Sequence, residues 1–282
     1  GSILTSSDGT TWDNRTSASQ NLLDEVTYGN GTFVAVGKSG TILTSSDGTS
    51  WTSRTSGTVG MLDGITYGNG TFVVVGGSGT TLTSSDGTTW TAQISGTPSN
   101  LMGVTYANGT FVVVGASGNV LTSSDGTTWT AQISGTTSDL YGVTYGNDTF
   151  LAVGHASTGY SGTIFTSSAE TTFSATASTV TLSGLDTSTG VYFEKMSAFG
   201  EVLYLSSSSG NNEIYQVNLA VGQDGVRTGI ATQIDPTTTA ASYYNTGTEV
   251  SLRYLGGLTT DGTALFIADG NNQLIRKIDL TT

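Results

Sequence analysis

The chain has 282 residues, of which 40 are Gly, 2 Pro, 1 His and none Cys, and 8 Lys plus Arg against 21 Asp plus Glu give a formal net charge of -13. Without cysteine there is no disulfide framework, thiolate metal site or cysteine nucleophile. So few cations give no footprint for nucleic acid or for an anionic membrane surface; no apolar run approaches the ~20 residues of a membrane span, and no leader pattern precedes Ile3. Gly, Ser and Thr make nearly half of the chain, yet the apolar residues fall in ordered repeats, which argues against disorder.

The N-terminal Gly1-Ser2-Ile3-Leu4 aligns with Gly40-Thr41-Ile42-Leu43, so the chain enters in the middle of a repeat. That segment predicts a third strand at 3–6 and a fourth at 11–16. A 39-residue period follows, carried by Trp12, Trp51, Trp90 and Trp129, by Asp8, Asp47, Asp86 and Asp125, and by Tyr28, Tyr67, Tyr106 and Tyr145. In the copy beginning at Leu62, strands are expected at 63–67, 71–75 and 80–84, with a fourth containing Trp90. Gly68-Asn69-Gly70 favours the positive φ of a tight hairpin turn, and Gly76-Gly77-Ser78-Gly79 and Asp86-Gly87 mark the other two turns. Val, Ile, Thr, Tyr and Phe fill the strands, and no useful stretch has helical periodicity.

The second strand decides the architecture. Phe72-Val73-Val74-Val75 and Phe111-Val112-Val113-Val114 are continuous apolar runs. Successive strand residues face opposite sides, so such a strand is buried on both. Small four-stranded sheets stacked face to face satisfy that, at about 40 residues per unit, and define a β-propeller. A β-solenoid competes, but its rungs are shorter and lack three tight turns per unit.

Ser84-Ser85-Asp86-Gly87-Thr88-Thr89-Trp90, with copies at 6–12, 45–51 and 123–129, resembles the Asp-box of sialidase-type (BNR) propellers, one residue shorter between Asp and Trp. The resemblance covers residues 1 to about 176 and implies an all-β propeller whose boxes, Asp8/Trp12, Asp47/Trp51, Asp86/Trp90 and Asp125/Trp129, are structural, with each Trp inserted between blades. It implies little about activity. The fifth copy departs from the pattern: its turn grows at His155-Ala156-Ser157-Thr158-Gly159-Tyr160-Ser161, and its box carries Ala169, Glu170 and Phe173. Beyond it, strands are expected at 194–198, 201–206 and 213–219, and 255–280 resembles an NHL-type repeat. The whole chain is thus expected to be one propeller, regular over 1–176 and divergent over 177–282. First-plus-second strand pairs number six, which favours six four-stranded antiparallel blades over seven, closed by pairing of the two terminal strands. One third-strand is then surplus, an open edge on which another copy of the chain can add.

Candidate chemistry is sparse. Sialidase-type catalysis needs an arginine cluster beside a carboxylate and a tyrosine, but Arg15, Arg54, Arg227, Arg253 and Arg276 are dispersed along the strands. The photosystem II assembly factors, another Asp-box family, carry an arginine patch that eight basic residues match poorly. His155 is the lone histidine, so Ser-His-Asp and two-histidine metal sites are unavailable. Asp269-Gly270-Asn271-Asn272 reads as a turn, and no metal or other cofactor is expected. Asp24, Glu25 and Asp63 open first strands and read as a solvated acidic mouth. Four of the five Asn-x-Thr sequons, at Asn30, Asn69, Asn108 and Asn147, fall in hairpin turns that explain them. Contacts are therefore expected where the repeat is broken: at Tyr160 in the insertion, and at Tyr243 and Tyr244 in the long segment 235–250, since loops on rigid scaffolds commonly bind. The expected protein is a non-catalytic extracellular or virion-surface module, structural, adhesive or binding. It meets a protein or glycan partner at its loops and is able to self-associate; a carbohydrate-binding or glycosidase-type propeller is the alternative.

Overall fold

The structure, a computed structural model, describes residues 1–7, 11–146 and 148–155 and, beyond them, 162–166, 181–183, 193–199, 202–207, 214–221, 227–233, 255–260, 264–269 and 274–279. The chain divides into two compact units and passes from one to the other after Val143.

The first unit opens with the antiparallel pair β1 (Ile3–Thr5) and β2 (Asp13–Arg15). Three four-stranded antiparallel meanders follow: β3 (Leu23–Gly29), β4 (Thr32–Gly37), β5 (Thr41–Ser45) and β6 (Thr52–Arg54); β7 (Leu62–Gly68), β8 (Thr71–Gly76), β9 (Thr80–Ser84) and β10 (Thr91–Ile94); β11 (Leu101–Ala107), β12 (Thr110–Gly115), β13 (Val120–Ser123) and β14 (Thr130–Gln132). The second strand is buried on both faces, as its unbroken apolar run requires: Phe72, Val73, Val74 and Val75 are all 0% exposed. Val74 belongs to a cluster with Val34, Val36 and Ile42 of the preceding sheet, and Val73 and Val75 to one with Leu101, Val104 and Phe111 of the next.

Neighbouring sheets interlock through the hairpin. Asn30, Asn69 and Asn108 adopt φ of 45°, 48° and 47° ahead of glycines at 75°, the two positive angles of a type I′ turn. The Nδ2 of Asn30 donates to Ser85 O at 3.2 Å and that of Asn69 to Ser124 O at 3.3 Å, each in the following repeat. Gly29 and Gly68 lie against the rings of Tyr67 and Tyr106, where a Cβ would stand 2.1 Å and 2.0 Å from a ring carbon.

The fourth strand differs from expectation. It begins after the tryptophan, because Trp90 Nε1 donates to Gly87 O at 3.0 Å and holds the indole in the turn. Trp90 is half-buried, packed against the cluster of Val34, Val36, Ile65 and Phe72 that two sheets share.

β15 (Asp139–Gly146) leads into the second unit and heads a three-stranded sheet with β16 (Thr149–His155) and β17 (Gly162–Thr166). A five-stranded sheet follows, in the order β18-β22-β21-β20-β19. It is built from β18 (Thr181–Ser183), β19 (Phe193–Phe199), β20 (Val202–Ser207), β21 (Ile214–Val221) and β22 (Arg227–Gln233). The three strands expected over 194–219 are its β19, β20 and β21; β18 adds to the outer edge in parallel with β22. β23 (Leu255–Thr260), β24 (Ala264–Asp269) and β25 (Leu274–Asp279) form the last sheet. Tyr204 and Ile214 of one sheet pack with Leu265 and Ile267 of the other. The first strand of five sheets carries a register shift at one site, at Leu23/Glu25, Leu62/Gly64, Leu101/Gly103, Phe193/Lys195 and Leu255/Gly257, the mark of a β-bulge.

Candidate binding surface

Strand register gives each sheet of the first unit two ends. At one end lie the first hairpin and the Ser-Ser-Asp-Gly turn, since Tyr67 pairs with Phe72 and Phe72 with Ser84. At the other lie the bulge, the turns 38–40, 77–79 and 116–118, and the crossings 55–61, 95–100 and 133–138 to the next sheet.

The first end is occupied by its own structure. Ser84 Oγ donates to Asp86 Oδ1 at 3.0 Å, and Asp86 Oδ1 accepts from Thr88 N and Thr89 N at 2.8 and 2.9 Å. The same bonds recur at Asp47 and Asp125. These donors hold all three carboxyls well below the usual carboxylate range: the Ser50 N–H foremost at Asp47, the Thr88 hydroxyl at Asp86 and the Thr128 N–H at Asp125. A carboxyl with a lowered folded pKa binds fewer protons than the unfolded chain. Its stabilisation is complete above the unfolded pKa and is lost as pH falls towards the folded value. Replacing Asp47, Asp86 and Asp125 together by Asn should therefore lower the urea midpoint at neutral pH. The gap to the parent should narrow between about pH 5 and about pH 3; a gap independent of pH would exclude the carboxylate charge as its source.

The second end carries the differences between repeats. Leu22, Met61, Asn100 and Asp139 are equivalent positions, as are Asp24, Asp63 and Met102 in the bulges with Tyr141 on β15, and Lys38, Gly77 and Ala116 in the turns. Lys38 N donates to Leu22 O at 2.9 Å, Gly77 N to Met61 O at 3.0 Å and Ala116 N to Asn100 O at 2.9 Å, so the scaffold under these side chains is the same. Ser39, Ser78 and Ser117 occupy the left-handed region at φ 58°, 55° and 57°. Ser78 N donates to Asn100 Oδ1 at 2.9 Å and Ser117 N to Asp139 Oδ1 at 2.8 Å.

The acidic mouth is more than a solvated rim. Glu25 Oε2 accepts from Ile65 N at 2.8 Å in the next repeat, where β7 is the edge strand of its sheet. Asp24, Glu25 and Asp63 are all partly buried. Arg15 and Arg54 lie on β2 and β6, and their Nε groups donate to Thr5 Oγ1 and Thr44 Oγ1 at 2.7 and 2.8 Å; Arg227 starts β22 and Arg276 lies in β25. His155 ends β16, paired with Gly162, and so belongs to a strand and not to the enlarged turn. Tyr160, Tyr243, Tyr244, Asp8 and Arg253 lie outside the described residues, as do Asn147 and the altered box at 167–173. Among the described residues no cluster of three His, Cys, Asp or Glu side chains is placed to hold a metal, and no helix is long and apolar enough to cross a membrane.

Sheets of this kind are shared with known structures. The fold is similar to that of YCF48 from Cyanidioschyzon merolae, at 15% identity over 93% of this chain and 87% of that one, with a TM-score of 0.60. It is similar to YCF48 bound to D1 peptide at 18% identity, 96% and 84% coverage and a TM-score of 0.61. A chain of a nidogen/laminin complex matches at 14% identity, 89% and 90% coverage and a TM-score of 0.57. No family model matches the sequence, and no curated protein matches it. The all-β, four-stranded antiparallel sheets and these neighbours make the fold a β-propeller.

Proposed function

We propose that this propeller is a non-catalytic recognition module of a cell or virion surface, built of six Asp-box and NHL-like blades, which binds a protein partner through the bulge-and-crossing end of its blades. One observation carries the reading. Repeats that are nearly identical at the box and hairpin differ at that end, with Asp24, Asp63 and Met102 on the same bulge, Tyr141 at the equivalent position of β15, and Leu22, Met61, Asn100 and Asp139 beside them. A shared frame with varied side chains at one end is what a recognition surface requires. The neighbours agree in kind, since one is bound to a peptide and another comes from a complex of two proteins. The acidic, Lys-poor, Thr-rich composition suits an exposed setting. A glycosidase-type propeller is less well supported, because Arg15 and Arg54 reach back along their own sheets.

The test is a peptide array and a glycan array probed with the parent and with a Met102→Ser/Tyr141→Ser variant, beside a panel of fluorogenic glycosides. The parent should select peptides, the variant should lose them, and melting temperatures should agree within a degree or two. Turnover of any glycoside by the parent, abolished by substitution at this end, would overturn the non-catalytic reading.

A further inference from the structure

The sheet of β3–β6 is less covered on one face than its copies. Val26 on β3 is 57% exposed, whereas its equivalents Ile65 and Val104 are 3% and 7% exposed. Tyr28 is also 57% exposed, while Tyr67 and Tyr106 lie against Gly29 and Gly68 of the sheet before. Phe33 is half-buried where Phe72 and Phe111 are buried. The deficit extends to β1, since Ile3 and Leu4 are half-buried and their equivalents Ile42 and Leu43 are buried.

One hairpin accounts for all of these differences. Ile65 is covered by Val34 and Val36 of β4, and Val104 by Val73 and Val75 of β8. Those second strands pair in turn with a third strand, as β8 does with β9. β1 is such a third strand, but among the described residues it pairs with β2 alone. It nevertheless keeps its station. A Cβ on Gly48 would stand 3.4 Å from Thr5 Cγ2, as one on Gly126 would stand 3.5 Å from Thr83 Cγ2. Val73 Cγ2 also reaches that point at Gly126, at 2.7 Å, and no described residue takes its place at Gly48. An open strand edge and an uncovered apolar face thus border one gap.

We propose that β1 and β3 form an acceptor site for a β-hairpin of the repeat's own first-and-second-strand type, carried by another polypeptide. The hairpins of this type among the described residues are already built into their own sheets, so none is spare. The copies supply the occupant's chemistry. Its second strand adds antiparallel to β1 through main-chain hydrogen bonds, and its alternate valines cover Val26. The glycine that ends its first strand lies under Tyr28, as Gly29 lies under Tyr67. Its turn asparagine donates to the exposed Ser46 O, as Asn30 donates to Ser85 O. A single added strand would satisfy β1 and leave Tyr28 without its glycine. The site uses the face and edge of the sheets and not their bulge end, so it stands apart from the recognition reading.

The experiment titrates the full chain with a synthetic peptide of residues 62–76, given a polar tail for solubility, and follows hydrogen exchange and melting temperature. The peptide should bind saturably, slow exchange over residues 3–5 and raise the melting temperature. A peptide with Gly68→Val, which closes the space for Tyr28, should bind roughly tenfold more weakly. In the chain, Val26→Asp should abolish binding. It should leave the melting temperature of the free chain within about a degree or two, because Val26 is exposed there. No binding, unchanged exchange over residues 3–5, equal binding of the Gly68→Val peptide, or binding that survives Val26→Asp would each overturn the site. Self-association of the parent that Val26→Asp abolishes would overturn it too, by giving the face to a second copy.

Discussion

Gly79→Ala is expected to cost roughly 2–5 kcal/mol, from about 1–2 for a left-handed non-glycine residue and about 1–3 for overpacking. Gly79 has φ +70°, and a Cβ there would lie 1.8 Å from Thr97 O. The obstacle cannot retreat cheaply. Ser95 Oγ donates to Gly79 O at 2.7 Å and accepts from Thr97 N at 3.4 Å, so turn and crossing are stitched together. Gly96→Ala is the internal control: φ is +81°, yet nothing lies within 4 Å of its Cβ. It should lose only the conformational part, about 1–2 kcal/mol. Urea unfolding of both variants reads the difference, and equal losses would show that the close approach to Thr97 carries no weight.

Phe72→Ala should cost about 3–5 kcal/mol, the range for a fully buried aromatic side chain. The ring is 0% exposed. It stands 4.6 Å from Tyr67 and 6.4 Å from Trp90, centroid to centroid, among the apolar residues of two sheets. Phe33 is its equivalent one repeat earlier, with similar distances to Tyr28 and Trp51, but it is only half-buried. Phe33→Ala should therefore lose distinctly less, and a matching loss would place the energy in the aromatic contacts and not in burial.

These two positions show what the sequence made legible. The Phe72–Val75 run announces burial on both faces, because a strand has only two. The Asn-Gly hairpins and the Ser-Ser-Asp-Gly turns announce themselves, because each needs particular residues for its own local geometry. Spacing puts Trp90 in the fourth strand, whereas its bond to Gly87 O keeps it in the turn; spacing cannot separate the last turn residue from the first strand residue. The Glu25 bond to Ile65 N crosses between sheets 40 positions apart in the chain, and nothing local encodes it. The side-chain caps on Ser78 and Ser117 are open to reading in principle, at the equivalent positions Asn100 and Asp139. Their meaning depends on knowing that these side chains meet a left-handed serine of the preceding repeat.

Because Asn30 meets Ser85 as Asn69 meets Ser124, and Gly29 meets Tyr67 as Gly68 meets Tyr106, these two junctions present the same surfaces to one another. Excising residues 62–100 would join Met61 to Leu101 and bring Asn30 to Ser124, Gly29 to Tyr106 and Glu25 to the N–H of Val104. Stability in such a stack is close to a sum of unit and nearest-neighbour terms. The gene can therefore lengthen or shorten by unequal crossing-over in steps of 39 codons, each product meeting familiar partners at its new seam, while point changes at the bulges diversify what the surface displays.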